Sequence, residues 1–192
     1  MSDKYHHGDL RNALIEEGIK MINSSGEDSL SMRKLAEKCG VSMAAPYAHF
    51  KNKEEMINAI KKYVEDAFTE YLEAAVNKCE DDVEVKIVAL GIAYVSFFIE
   101  NPEYFTFLFS RGYVHLSLDF KSSDENDFKP YTILKKLCSR YFDEKKPGLS
   151  DYEKELEIIR IWSSVQGVTS LIFMKNVKWS HDWKEELKNL IR

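Results

Sequence analysis

Residues 31–50, SMRKLAEKCGVSMAAPYAHF, decide how the rest of the chain is read. They spell two short helices joined by a tight turn at Gly40. Ser31 is placed to cap the first helix, because its hydroxyl can accept a free amide of the first turn. Leu35 and Ala36 face inward, and Ala36 is small enough for a second helix to cross closely. Four residues later the chain must reverse at Gly40, where a positive φ is cheap for glycine. Val41 fills the corner, and Ser42 caps a second helix predicted to run through Tyr47 to Phe50. A small residue, a glycine four later, an apolar corner and a fresh cap are what a helix-turn-helix requires, and that motif reads duplex DNA.

Charge follows the same division. The 192 residues carry 27 Lys and Arg against 32 Asp and Glu, a formal net charge of −5. Residues 1–63 hold 10 basic and 9 acidic side chains, whereas the remainder holds 17 and 23. Within residues 30–63 the count is 7 basic against 3 acidic, and this local +4 falls on the helix-turn-helix and its flank, where phosphate contact needs it. The acidic remainder keeps the rest of the molecule off DNA. An apolar share of 44%, with 8 Gly and 4 Pro, suits a packed helical protein and excludes a disordered one. No apolar run approaches the roughly 18 residues that span a bilayer, and the N-terminus lacks a secretory stretch. A cytoplasmic protein without a membrane partner is therefore expected. Cys39, Cys79 and Cys138 are too widely spaced for a disulfide framework or zinc ligation and read as free thiols. With no nucleophile elbow, Gly-rich phosphate loop or HExxH pattern, neither catalytic residues nor a metal or cofactor is expected.

Outward from the motif, residues 9–24 form an amphipathic helix with Asp9 as cap and Ile15, Ile19 and Ile22 along one stripe. Asn52 and Glu55 have capping-box spacing and open a long helix reaching about residue 76. Its apolar positions Ile57, Ile60, Val64, Phe68, Tyr71 and Ala75 recur at three and four. This helix outruns a compact three-helix head and so connects two modules. A helix over 83–100 ends at Asn101-Pro102, where the proline opens the next. SSDENDFKP (122–130) is an exposed loop. Helices follow at 129–143 and 150–176, the latter opened by Ser150 and Glu153, and a last one lies at 181–191. No segment has strand period. The expected fold is all-α: an N-terminal three-helix DNA-binding head (1–55), linked by a long fourth helix to a C-terminal helical bundle for ligand binding and dimerisation (56–192).

The 150–176 helix is apolar on more than one side: Ile158, Ile161, Val165, Val168 and Ile172 make one stripe, while Ile159, Trp162 and Thr169 point elsewhere. A helix apolar all round is buried all round, which in so small a domain implies one face on the core and one on a partner subunit. With Trp183 and Leu187 of the last helix, the expected homodimer interface is Val165, Val168, Leu171, Ile172, Trp183 and Leu187.

YHHGDLRNAL, SMRKLAEKCGVS and APYAHFKNKEEM together resemble the TetR family of one-component transcriptional regulators, over residues 5 to about 60. WSSVQGV (162–168) is similar to the Trp-x-x-x-His-Gly element of one subgroup, with Gln166 in place of the histidine, and NPEYFTFLF resembles that subgroup's sixth helix. The resemblance implies a homodimer that binds operator DNA through both heads and a small molecule in the C-terminal domain. It places Tyr47, His49 and Lys53 where the family contacts phosphates; Ala48 stands where an Arg is frequent in the subgroup.

The DNA-facing residues expected are Ser31, Met32, Arg33, Ser42, Met43, Ala45, Tyr47, His49, Lys51 and Lys53. Small and apolar side chains at 42–45 suit thymine methyls and sugar edges rather than bidentate hydrogen bonds, so part of the specificity rests on DNA shape. An effector pocket for a hydrophobic or aromatic molecule is expected among Phe97, Tyr104, Phe109, Trp162 and Gln166. The protein so read is a repressor released from a pseudo-palindromic operator by that effector. The alternative is a dimeric helical ligand-binding or adaptor protein without sequence-specific operator binding.

Overall fold

A computed structural model describes residues 7–191 apart from 111, 123 and 125, and its described residues form eight α-helices and no strand. The elements are α1 (His7–Ser25), α2 (Met32–Lys38), α3 (Lys53–Asn77), α4 (Val83–Glu100), α5 (Pro102–Ser110), α6 (Lys129–Lys145), α7 (Asp151–Phe173) and α8 (Trp183–Leu190). None of these helices is long and apolar enough to cross a membrane. The side chain of Asp9, the expected cap of α1, lies outside the described residues, as does most of the YHHGDL opening.

Two compact units divide the chain: Met1–Val64 with Glu103–Tyr113, and Glu65–Pro102 with Val114–Arg192. The first is larger than the head expected to end at residue 55, because α3 keeps packing on α1 beyond that point. Gly18 of α1 makes room for α3; a Cβ there would stand 2.8 Å from Ile60 and 2.9 Å from Met56. The core of this unit includes Leu14, Ile15, Ile19 and Ile22 of α1 and Leu35 of α2, with Phe50 behind the turn. The return of 103–113 to this unit has no local sign in the sequence, since it depends on packing between distant segments.

In the second unit α4 packs against α6, α7 and α8. Asp82 caps α4 by accepting from Glu84 N–H (2.8 Å) and Val85 N–H (3.1 Å), and Ser150 with Glu153 forms the expected capping box on α7. Phe68 lies at the centre, stacked on Phe97 at 4.7 Å, with Phe98 at 4.6 Å and Tyr94 at 5.2 Å. The loop expected at 122–130 is not wholly exposed. Asp127 and Phe128 are buried at its end, where Asp127 accepts from Ser117 N–H at 2.6 Å and Lys135 donates to the carbonyls of Asp119 and Ser122.

Gly91 of α4 permits the tightest approach in this unit. A Cβ there would lie 2.5 Å from Ile191 Cγ2 and 3.3 Å from Val165 Cγ1. Gly91→Val is therefore expected to overpack both neighbours and cost about 1–3 kcal/mol, read as a lower urea midpoint. An unchanged midpoint would mean that the segment after α8 yields freely.

Candidate nucleic-acid interface and bundle cavity

α2 begins where Ser31 Oγ accepts from Lys34 N–H at 3.2 Å, and it buries Met32, Leu35 and Ala36. At its end Gly40 takes φ +67°, and Val41 N–H returns to the Ala36 carbonyl at 3.0 Å. Open space surrounds the Cβ position of Gly40, so backbone conformation alone demands glycine there. The reversal is the one expected, but the element after it is not a continuous α-helix. Residues 42–49 advance by i→i+3 bonds, Ala45 to Ser42, Tyr47 to Ala44, Ala48 to Ala45 and His49 to Pro46, before Phe50 N–H closes on the Pro46 carbonyl at 2.9 Å; only Pro46–Ala48 form a 3₁₀ turn. Pro46 is the physical reason: it has no N–H to return to Ser42, and its ring crowds that carbonyl.

This tight geometry exposes a short ridge. Ser42, Met43, Ala44, Tyr47 and Ala48 face solvent, Met43 at 52% and Tyr47 at 58%. Arg33 and Lys34 of α2 and Lys51 beyond the turn are also exposed. Lys53 is half-exposed at the start of α3, 4.0 Å from the fully exposed Asp28, a surface pair too weak to hold it. Asn52 Oδ1 accepts from Glu55 N–H at 2.8 Å, while the Glu55 carboxylate accepts from Lys51 N–H at 2.8 Å, which fixes the junction with α3.

Four of the expected DNA-facing residues are buried or half-buried. Met32 is buried, because Met32, Leu35 and Ala36 form the inward i, i+3, i+4 face of α2. Ala45 is half-buried beside buried Pro46, and Ala44 is exposed instead. His49 is half-buried with its ring 6.2 Å from that of Phe50. Ser31 is half-buried, with its oxygen engaged in the cap. The Cys39 thiol, in the turn, is pushed up by burial and by Glu17, so it is not an activated nucleophile.

The five residues expected to line one effector pocket are not brought together. Phe97 is spent in the aromatic core, while Tyr104 and Phe109 belong to the first unit, where Tyr104 donates to Glu16 and Phe109 lies 5.1 Å from Phe105. Trp162 and Gln166 do meet at Tyr94: the Trp162 ring stands edge-on at 5.3 Å, and the Tyr94 hydroxyl donates to Gln166 Oε1. Burial pushes the Tyr94 phenol far up, which keeps it the donor.

A cavity of about 260 Å³ opens instead against α4, α6, α7 and the end of the chain. Its walls are Ile87, Val88 and Gly91 of α4, Ile161, Ser164 and Val165 of α7, and Ile191, with Tyr141, Lys146, Glu84 and Glu157 as its polar side. Lys146 pairs with Glu157 at 3.4 Å. A smaller inner hollow shares Ile87, Gly91, Ile161 and Val165 with it and reaches Tyr94 and Trp162. Among the described residues no three His, Cys, Asp or Glu side chains gather as metal ligands.

The expected interface residues also divide. Val165 (4% exposed) and Leu187 (1%) are buried in the unit's own core, because α4 packs against both α7 and α8. Val168, Ile172 and Trp183 are half-exposed, and Leu171 is 43% exposed.

Residues 14–60 match the family described as "Bacterial regulatory proteins, tetR family". Over 50 residues the chain is 40% identical to the class C tetracycline repressor protein of Escherichia coli, a stretch that is 26% of this chain and 23% of that protein. The chain thus spans about a quarter of the length of the tetracycline repressors it matches. Along nearly the whole chain the fold is similar to that of a protein of unknown function from Rhodococcus sp. RHA1, with a TM-score of 0.72, 22% identity, and 98% and 94% of the two chains covered. It is also similar to the Bacillus subtilis transcriptional regulator FadR in complex with stearoyl-CoA, with a TM-score of 0.67, 16% identity, and 94% and 95% covered.

Proposed function

Because the chain belongs to the TetR family of bacterial transcriptional regulators, we propose that it is a homodimeric repressor which grips a pseudo-palindromic operator through two 42–50 ridges and is released by a small hydrophobic molecule held in its bundle. The observation that carries this reading is the ridge itself. Met43 and Tyr47 are large side chains left in water beside the exposed Ser42, Ala44 and Ala48, on a turn anchored by buried Pro46 and Phe50, with Arg33, Lys34 and Lys51 also exposed. Such a surface has no use in the isolated unit. Against duplex DNA, Met43 and the alanines fit base and sugar edges, while Tyr47 and the cations fit the phosphates on either side.

The reading is tested by selecting duplexes from a random pool with the full chain and footprinting the winner. Two half-sites about 34–36 Å apart, one helical turn, are expected. A single isolated half-site per molecule would overturn the dimeric reading, and failure to enrich any sequence would favour the adaptor alternative.

Positioning and readout should separate by mutation. Lys51→Ala and Lys53→Ala are each expected to weaken binding to all sequences alike and to lower the salt slope by about 0.9 for every phosphate no longer neutralised. Met43→Ala is expected to change which duplexes are preferred while leaving the slope intact. Unchanged slopes in both lysine variants would remove these side chains from the interface.

The effector is placed in the 260 Å³ cavity and its inner hollow, a volume near the lower end of ligand clefts, with walls largely of Ile and Val. Its polar groups are Tyr141 and the Lys146–Glu157 pair at the outer side, while Tyr94 lines the inner hollow with its hydroxyl already given to Gln166.

A further inference from the structure

The chain passes from one unit to the other at three places, after Val64, after Pro102 and after Tyr113. The segment 103–113 is therefore a strap: it is packed with the DNA-binding unit, and its neighbours on both sides in sequence belong to the bundle. Its apolar anchors are Phe107 and Leu108, both buried. Its polar anchors converge mostly on α1. Tyr104 donates to the Glu16 carboxylate, and Tyr63 of α3 donates to the same Oε1 at 3.1 Å, the two rings meeting edge-on at 6.4 Å. Asn23 Nδ2 donates to the Glu103 carbonyl at 2.9 Å, and Tyr113 donates to Glu27 at 2.6 Å beneath the Lys61 ammonium, 4.2 Å from its ring.

Glu16, on α1, accepts from both α3 and the strap. We propose that Glu16 is a positioning residue for DNA recognition: by accepting from Tyr63 and Tyr104 together, it locks the strap to the helices that carry the 42–50 ridge. The inference rests on the DNA-binding reading above. Burial and the neighbouring carboxylate keep the Tyr104 phenol protonated, so it is always available to donate. The apolar anchors Phe107 and Leu108 hold the strap without specifying its register; the shared carboxylate does.

The test uses the full chain and the duplex that the wild type selects from a random pool. Tyr104→Phe and Glu16→Gln are compared by fluorescence anisotropy, after circular dichroism shows both variants folded at the working temperature. Each is expected to weaken binding about fivefold or more with the wild-type salt slope, because every cation that meets a phosphate is still in place. The double variant should be no weaker than the worse single one, since both break the same lock. Tyr113→Phe removes a strap bond that bypasses Glu16 and serves as the control, with binding within twofold of wild type. Wild-type affinity in both Tyr104→Phe and Glu16→Gln overturns the proposal and leaves the DNA-binding reading intact. So do independent, additive losses, or an equal loss in Tyr113→Phe, either of which reduces the strap to ordinary packing. Should the wild type select no duplex at all, the DNA-binding reading itself fails, and the lock fails with it.

Discussion

Leu171→Glu is expected to yield a folded monomer whose operator affinity has dropped on the order of 10²–10⁴-fold, the factor forfeited when two linked binding events become separate ones. Leu171 is 43% exposed on α7, so glutamate there meets water in the single subunit and leaves the core untouched. Against a partner helix the same carboxylate would be desolvated without a cation, and interfaces do not tolerate this. The neighbouring residues explain why that face suits a second copy. Ser163, Ser164 and Gly167 are exposed just before Leu171, and nothing lies within 4 Å of where a Gly167 Cβ would be. A glycine within an exposed helix costs about 1 kcal/mol relative to alanine. A monomer gains nothing in return, whereas a closely crossing partner backbone needs the space. Beyond the helix, Met174, Val177 and Trp179 extend the exposed apolar surface, with Trp179 packed on Trp183 at 4.4 Å. Sedimentation of Leu171→Glu, paired with anisotropy on the selected duplex, checks both halves. An intact dimer would move the interface off α7.

Whatever short-range chemistry controls was legible in the sequence. Ser31, Asn52 and Ser150 cap the helices they are expected to cap, because a cap involves only the next three residues. Gly40 turns the chain for an equally local reason. Departures arise where two local rules conflict or where distance decides. Ser42 and the spacing to Phe50 suggest a second α-helix, yet Pro46 within that run allows only successive tight turns. Apolar periodicity shows that α7 is greasy on several sides, but not which neighbour covers each side. Val165 faces α4 in its own subunit, close enough to limit Gly91. The pocket residues scatter for a related reason. Aromatic density marks burial, and Phe97 is buried so completely against Phe68 that it lines no space, while Tyr104 follows the strap into the other unit.

Filling the cavity is expected to produce a regulator that no longer responds. Val88→Trp places a large ring in the 260 Å³ space from the α4 side, without altering any residue of the 42–50 ridge or of the Glu16 lock. Operator affinity should stay near that of the wild type, and the hydrophobic compounds that raise the wild-type melting temperature should lose their effect. For the wild type, a typical coupling of about 1–3 kcal/mol means that such a compound weakens operator binding about 5–150-fold. Linkage then requires the operator to weaken binding of the compound by the same factor, whatever the structural route between the sites. The compound need only prefer the form in which the ridges are misplaced; one that binds both forms equally would shift nothing, however tight its binding. Calorimetric titration of a compound found by melting shift, with and without saturating duplex, measures the factor from one side, and anisotropy measures it from the other. Equal compound affinities in the two titrations would eliminate the coupling and leave a DNA-binding protein governed by its abundance. A Val88→Trp variant that still responds would move the effector out of this cavity.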